Sequence, residues 1–313
     1  MKPGHESLRK SYNADLRISD EERENLPDTQ NADSSEIKGA PVLVQRVGAS
    51  HFRVPLQIIR ECGEAERLEV SVTGTVQLGE GIRGINMSRI MRSFYAHAEG
   101  PLSLESLKPI LEQIRREVDS AEAQLRLEFA YPILQDSLRS ELRGYQYYDV
   151  AFEGLLNAKG FHPRMHFDFI YSSACPGSSE LAEHARQERG VYTIPHSQRS
   201  RARVSVALKD PPTISIEKLH ALCREALQTE VQVMVRREDE QAFAELNGAY
   251  PKFVEDAARL LFQVLDEVPE ILDFRVVCTH LESLHAHDAV AVVVKGVEGG
   301  FDADFENFRD LVC

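Results

Sequence analysis

The clearest pattern in the chain is a strict alternation. RLEVSVTGTVQL (67–78) places apolar and polar residues in turn, which predicts a strand with one buried face. HFRVPLQII (51–59) is rich in β-formers and predicts a partner strand. The glycines of GEGIRGINMSRIMRSFYAH mark a turn. Asn86 or Ser88 is placed to cap a helix that continues through Ile90, Met91 and Phe94. The period changes at Ser103. Leu104, Leu107, Leu111, Ile114, Val118, Ala121 and Leu125 fall on one stripe at three-four spacing, which predicts a longer helix. Strands are predicted again over 145–157 and 164–173; Met165, Phe167, Phe169 and Tyr171 share one face of the second.

The second half repeats this order. SRARVSVAL (200–208) predicts a strand, Ile216 to Thr229 a helix, and VQVMV (231–235) a short strand. PKFVEDAARLLFQVLDEV predicts a helix with Pro251 in its first turn and Phe253, Ala257, Leu260 and Val264 inside. FRVVCTHLESL and HAHDAVAVVVKGV close the chain as strands. Each half reads roughly as strand, strand, two helices, strand, strand. That order predicts an α+β fold of two tandem modules, antiparallel sheets with helices on one face, at 41–174 and 175–313. Residues 1 to about 40 are polar and predict a mobile arm, with a short helix near Asp20–Asn25.

Composition narrows the partners. A net charge of −14 argues against nucleic acid or a membrane surface, so an anionic ligand needs a local basic pocket. No apolar run approaches the ~20 residues of a membrane span, and the N-terminus lacks the apolar core of a secretory signal. Five scattered cysteines predict a reducing, cytoplasmic setting and unpaired thiols.

The chemistry gathers between Ser172 and Arg203. Cys175 ends an apolar strand and precedes Pro176. An isolated cysteine in such a place is ordinarily a small buried hydrophobe, yet it is also a soft metal ligand. His196 stands in IPHSQRSRAR, just ahead of a strand. Arg199, Arg201 and Arg203 alternate along that strand and point one way, as a solvated edge or as a wall for phosphates. Glu238, Asp239 and Glu240 follow the 231–235 strand at its end. Glu255 falls at the edge of an apolar helical arc, beside Phe262. His285 and His287 are two apart and share a predicted strand face, which suits metal binding, acid–base work or simple exposure. His51, His97, His162, His166 and His280 lack such company and are assigned no role.

Five stretches carry a resemblance: LPDTQN, RGINMSR (83–89), CPGS with HSQRS, PKFVED, and HLESLHAHDA. In this order and at these spacings the chain resembles the type IB family of GTP cyclohydrolase I, from about Leu26 to the end. The resemblance implies a tunnelling fold with two modules per subunit, a homotetramer with active sites at subunit interfaces, and one divalent metal ion (zinc, manganese or iron) per site. It implies Cys175, His196 and Glu240 as metal ligands, with Cys175 also catalytic. Glu255 would anchor the guanine edge of GTP, and His285 would stand near the reacting ring. Arg199, Arg201, Arg83 and Arg89, with Arg92, are the candidates for the triphosphate. The implied reaction takes GTP and water to 7,8-dihydroneopterin triphosphate and formate. A relative making a cyclic-phosphate pterin and a nucleotide-binding pseudo-enzyme are the alternatives. Two departures stand out. The second cysteine of the family's Cys-Pro-Cys-Ser is Gly177 here, and the Cys175–His196 segment carries a helical insertion, SSELAEHARQERG. His184 within that insertion is not expected to be a ligand.

Overall fold

In the computed structural model, which describes residues 11–26, 37–305 and 308, the alternating segments pair into one antiparallel sheet of eight strands. The strands are β1 (Val44–Ile59), β2 (Ala65–Leu78), β3 (Ala123–Asp136), β4 (Arg143–Asn157), β5 (Gly160–Ala174), β6 (Ser197–Leu208), β7 (Ile271–His280) and β8 (Ala289–Val294). They lie side by side in chain order. The predicted alternation is visible in β2, where Val70, Val72, Val76 and Leu78 are buried at every second or fourth position.

The inward side chains meet helices. The described helices are α1 (Asp20–Glu24), α2 (Met87–Tyr95), α3 (Leu107–Val118), α4 (Pro176–Arg189), α5 (Ile216–Leu227), α6 (Arg237–Ala249) and α7 (Val254–Asp266). α2 packs on β1 and β2, α3 on β3 and β4, α5 on β5, and α7 on β7 and β8. One apolar core runs through both halves, from Val54 to Cys278. Gly154 on β4 makes room for α3: a Cβ there would lie 3.0 Å from Leu111 Cδ1 and 2.9 Å from Phe161 Cε2.

The order strand, strand, helices, strand, strand recurs, as β1–β4 with α2 and α3 and as β5–β8 with α4 to α7, so β5, expected to close the first half at 174, stands at the start of the second; five further differences from the sequence reading follow. The long stripe is two elements: α3 stops at Val118, where Asp119 turns left-handed (φ +51°), and Ala123 and Leu125 belong to β3. The stripe continued because a strand entering the same core keeps some apolar positions in phase with a helix. Val231–Val235 forms no strand; only Glu230 bridges to Tyr171. Glu238, Asp239 and Glu240 lie in the first turn of α6, not at a strand end. There Asp239 accepts from the Arg236 N–H (2.8 Å) and, across the fold, from the Arg139 and Ser140 N–H groups (2.7 and 2.8 Å). Burial works against this carboxylate, but those donors and the Ser140 hydroxyl hold it well below the usual range.

α7 begins only at Val254, so Pro251 precedes it. The buried face is Val254, Ala257, Ala258, Leu261 and Leu265, while Phe253 and Leu260 are exposed. Finally, β7 ends at His280 and β8 starts at Ala289, so His285 and His287 occupy the connection and not a strand face. The short helix of the arm forms, with a Ser19–Glu22 capping box. The rest of the expected arm lies largely outside the described residues, as does all of LPDTQN after Leu26. Cys62, Cys175, Cys223 and Cys278 are free thiols.

Candidate active site

The site is assembled at one end of β5, β6 and β7. β5 runs out at Ala174, and Cys175 becomes the N-cap of α4, with Pro176 in the first turn where its missing N–H costs nothing. The Cys175 Sγ accepts from the Ser178 N–H (3.4 Å), and the Cys175 carbonyl from the Ser179 N–H and hydroxyl (both 2.9 Å). The insertion is therefore a helix that closes on Gly190 in the left-handed region (φ +64°) and returns the chain to β6. That return brings His196 back to Cys175: the Cys175 N–H donates to the His196 carbonyl at 3.2 Å. The His196 N–H donates to Ser178 Oγ at 3.2 Å.

The imidazole of His196 is held from behind. Its Nδ1 lies 3.1 Å from Gln198 Oε1, and the Gln198 amide nitrogen donates to Ser173 Oγ at 2.5 Å. Ser173 in turn meets Ser200 Oγ (2.9 Å) and His280 Nδ1 (3.2 Å), and His280 Nε2 meets the Tyr171 hydroxyl (2.9 Å). Gln198, Ser173, Ser200, His280 and Tyr171 are all buried. Burial, and then the neighbouring Lys252 ammonium, push His280 down to about 4, so it is a neutral imidazole near neutral pH.

The start of α7 closes one side. The Lys252 N–H donates to the Ala174 carbonyl at 3.1 Å, which fixes PKFVED against the end of β5. Lys252 is itself buried; its Nζ donates to Thr229 Oγ1 (3.1 Å) and the Tyr250 carbonyl (2.6 Å), and burial lowers it to about 8. The Phe253 ring reaches the thiol region: a Cβ placed on Gly177 would lie 3.8 Å from Phe253 Cζ and 3.9 Å from Cys175 Sγ. Glu255, two residues on, is exposed in the single protomer, so it does not face Phe262 in a buried arc.

Glu240 lines a cavity of about 450 Å³ together with Ser197, Gln198, Arg199 and Phe243. Arg199 is thus the arginine of the β6 row that faces a cavity beside the His196 motif. Arg201 and Arg203 are engaged across the sheet: Arg203 grips Asp168 with two bonds of 2.7 Å, and Arg201 meets Asp168 and Asp149, each at 3.2 Å. The β7–β8 connection leans on the same end through Ser283 Oγ, which donates to the Ser197 carbonyl at 3.4 Å. His285 in that connection is exposed, its ring stacked on His287 at 4.7 Å. Arg83, Arg89 and Arg92 lie elsewhere, at or before α2. Arg89 donates to the Glu117 carbonyl (3.0 Å). α2 sits on β1 and β2, at least three strand spacings, or about 14 Å, from β5.

Residues 26–291 match the family described as GCHY-1, type I GTP cyclohydrolase folE2. The chain belongs to this family. It is 52% identical over 291 residues to GTP cyclohydrolase FolE2 of Paracoccus denitrificans, covering 93% of this chain and 90% of that protein. It is also 52% identical over 291 residues to GTP cyclohydrolase FolE2 of Ruegeria pomeroyi, covering 92% and 79%. Among solved structures, a hyper-thermostable AgUricase mutant superposes with a TM-score of 0.51 at 10% identity, covering 84% of this chain and 94% of that one. That likeness concerns the fold, the tunnelling fold of FolE2 and uricase-like proteins.

The GTP cyclohydrolase family is metal-dependent, and two donors here suit a metal. Cys175 offers sulfur beside His196. The His196 Nδ1 is occupied by its contact with Gln198, which leaves Nε2 as the ring nitrogen turned to other partners. Among the described residues no three His, Cys, Asp or Glu side chains converge on one point, so Glu240 does not close the set within this protomer. Sequence reasoning passed over Gln198, Ser173 and Lys252. Each sits inside or next to a quoted motif; for Ser173 and Gln198 a polar residue at an inward strand position was the available signal, while Lys252 lies in the loop ahead of α7, where the sequence carried none. It set His280 aside as a lone histidine; in the fold it is buried and hydrogen-bonded on both nitrogens.

Proposed function

We infer that this chain is a GTP cyclohydrolase of the FolE2 type. It converts GTP and water to 7,8-dihydroneopterin triphosphate and formate, the first step of folate biosynthesis. The observation that carries the reading is the return of the insertion helix, which sets the Cys175 thiol beside the His196 motif within a chain that matches the family over 26–291. In this reading Cys175 and His196 would hold one divalent ion, with Glu240, which does not converge on them within this protomer, closing the set only in the assembled enzyme; zinc, manganese and iron are all compatible with mixed S/N/O donors. The ion's contribution is Lewis-acid activation of water for attack at C8 of the purine. The protein's own groups do the rest. Glu255 accepts from the guanine N1–H and 2-amino group, a pair of donors that adenine lacks. His285 protonates the ring nitrogen as the C8–N9 bond opens. Cys175 serves both the ion and the reaction.

The triphosphate needs cations. Arg199 on the Glu240 cavity is our candidate within the chain, with Arg201 held to Asp168 and less suited. Arg83 and Arg89 can serve only from a second copy, because α2 lies on the far part of the sheet. The exposure of Glu255 and His285 fits the same proposal: a homotetramer whose sites are completed between subunits, working in the cytoplasm. No described helix is long and apolar enough to cross a membrane.

Gly177 favours one competing reading, a nucleotide-binding protein without turnover. A side chain there would touch the Cys175 sulfur, so the family's second thiol is missing from the immediate surroundings of the first. Incubation with GTP and a divalent metal decides. Formate and a pterin triphosphate of matching mass support the enzyme. A cyclic-phosphate product, or bound GTP returned intact, contradicts it.

A further inference from the structure

The polar chain behind His196 starts at Gln198, which lines the Glu240 cavity, and ends in the protein interior at Ser173, Ser200, His280 and Tyr171. We propose that Gln198 is a positioning residue: backed by Ser173, it fixes His196 in the tautomer protonated at Nδ1 and thereby presents Nε2 to a metal ion. This rests on the reading of His196 as a metal ligand.

The argument is one of donors and acceptors. A glutamine amide can point either way. With its oxygen toward His196 it accepts from Nδ1–H, and the Nε2 lone pair faces outward. With its NH₂ toward His196 it donates to Nδ1, the proton moves to Nε2, and that nitrogen can no longer bind a metal. Ser173 couples the choice to the buried groups behind it. Its oxygen lies within reach of Gln198 Nε2 (2.5 Å), Ser200 Oγ (2.9 Å) and His280 Nδ1 (3.2 Å), but it carries only one hydrogen. Given to Ser200 or to His280, that hydrogen is not available to a glutamine oxygen. With its hydrogen given in that direction Ser173 accepts from Gln198, and the amide faces its oxygen to His196, as it does in the structure. His280 is anchored in turn by Tyr171 at 2.9 Å. Ser173, Ser200 and Tyr171 are fully buried and His280 is 1% exposed, so the chain behind Gln198 is held by protein groups and not by water, and reversal of the amide would require Ser173, Ser200, His280 and Tyr171 to reorient together. The neutral state of His280 agrees with this arrangement.

The test uses the full chain without metal, labelled with 15N-histidine. Two-bond proton–nitrogen correlations report the His196 tautomer, and chelator competition reports zinc affinity. The inference predicts the Nδ1–H tautomer in the parent and a shift toward Nε2–H in Gln198→Leu. It predicts a loss of zinc affinity of roughly 10–100-fold in Gln198→Leu, the scale for losing a ligand's outer partner. Gln198→Glu, which can only accept from Nδ1–H, should restore both. An Nε2–H tautomer in the parent, a measurement that needs no variant, overturns the inference. So does unchanged zinc affinity in Gln198→Leu when His196→Ala has lost it; the ligand reading then survives. Unchanged zinc affinity in His196→Ala instead overturns the ligand reading, and with it the purpose assigned to Gln198.

Discussion

The two halves of the sheet use the same scaffold for different ends. Strands β1–β4 with α2 and α3 bury an almost wholly apolar interior; the buried polar residues there are Ser93 and Glu153. Strands β5–β8 with α5 and α7 bury Ser172, Ser173, Gln198, Ser200, His220, Glu230, Lys252 and His280, among others. Burying a polar group is costly unless it is hydrogen-bonded. The second half meets that cost with a connected set: Tyr171, His280, Ser173 and Gln198 behind His196, and separately His220, whose Nε2 lies 2.5 Å from Glu230, with Tyr148 on the same carboxylate. The difference teaches where to look for chemistry. Both halves have the packing to be stable, but only one has spent its interior on orienting side chains.

The comparison can be broken most severely at the proposed ligands. His196→Ala and Glu240→Ala should each cut metal affinity by more than the roughly 10–100-fold expected for an outer partner, with melting temperatures near the parent's. Full metal occupancy in both, by elemental analysis, would mean that the ligands are other residues. The first half should answer in a different currency. Leu111→Ala in α3 removes a fully buried side chain and should cost about 2–5 kcal/mol of stability. Denaturant unfolding measures that loss, and turnover per folded molecule should be unchanged; a collapse in turnover without a loss of stability would blur the distinction.

Glu255→Gln sharpens the substrate side. Metal content should stay normal while GTP binding weakens by roughly 2–4 kcal/mol, the scale for breaking a charge-assisted pair that the substrate and a neighbouring subunit enclose. Calorimetry giving near-parent affinity would place the purine anchor elsewhere. The smallest effect is on pH. His280 is held at about 4 against an ordinary 6.5, so the folded protein declines a proton that the unfolded chain accepts. Its stability contribution is fully present above pH 6.5 and is lost as pH falls toward 4, by roughly 1–3 kcal/mol. His280→Gln should flatten that window. His166, also lowered by burial, titrates in the same direction and should keep part of the slope. A variant as pH-sensitive as the parent would show that His280 is not the group responsible.

Much of the fold was legible because strands such as β2 and helices such as α5 declare their period over a dozen residues. β3 was not, because its apolar positions continued the stripe of α3 across a two-element junction at Asp119. Glu240 was placed on a strand end because VQVMV looks like a strand in isolation, yet only Glu230 pairs there. The candidate site was legible as far as the nearness of Cys175 to the His196 motif, which the structure brings together through the Cys175 N–H and the His196 carbonyl. It was illegible where function depends on contact across strands. Nothing in HSQRS says that Gln198 touches Ser173, 25 residues earlier, or that His280 completes the chain. Those contacts come from the β5–β6 and β6–β7 register, which pairs Ser173 with Gln198 and Ser200 with His280.

The most direct test of the account is formate release from GTP by Cys175→Ala beside the parent, at equal folded concentration and with metal content measured in both. The account predicts formate and pterin triphosphate in equal amounts from the parent. It predicts no detectable turnover from the variant, whose melting temperature stays close to the parent's. Turnover above about a tenth of the parent's, with normal metal content, would contradict it, since 1.4 kcal/mol of barrier is too little for a group that serves both the ion and the reaction.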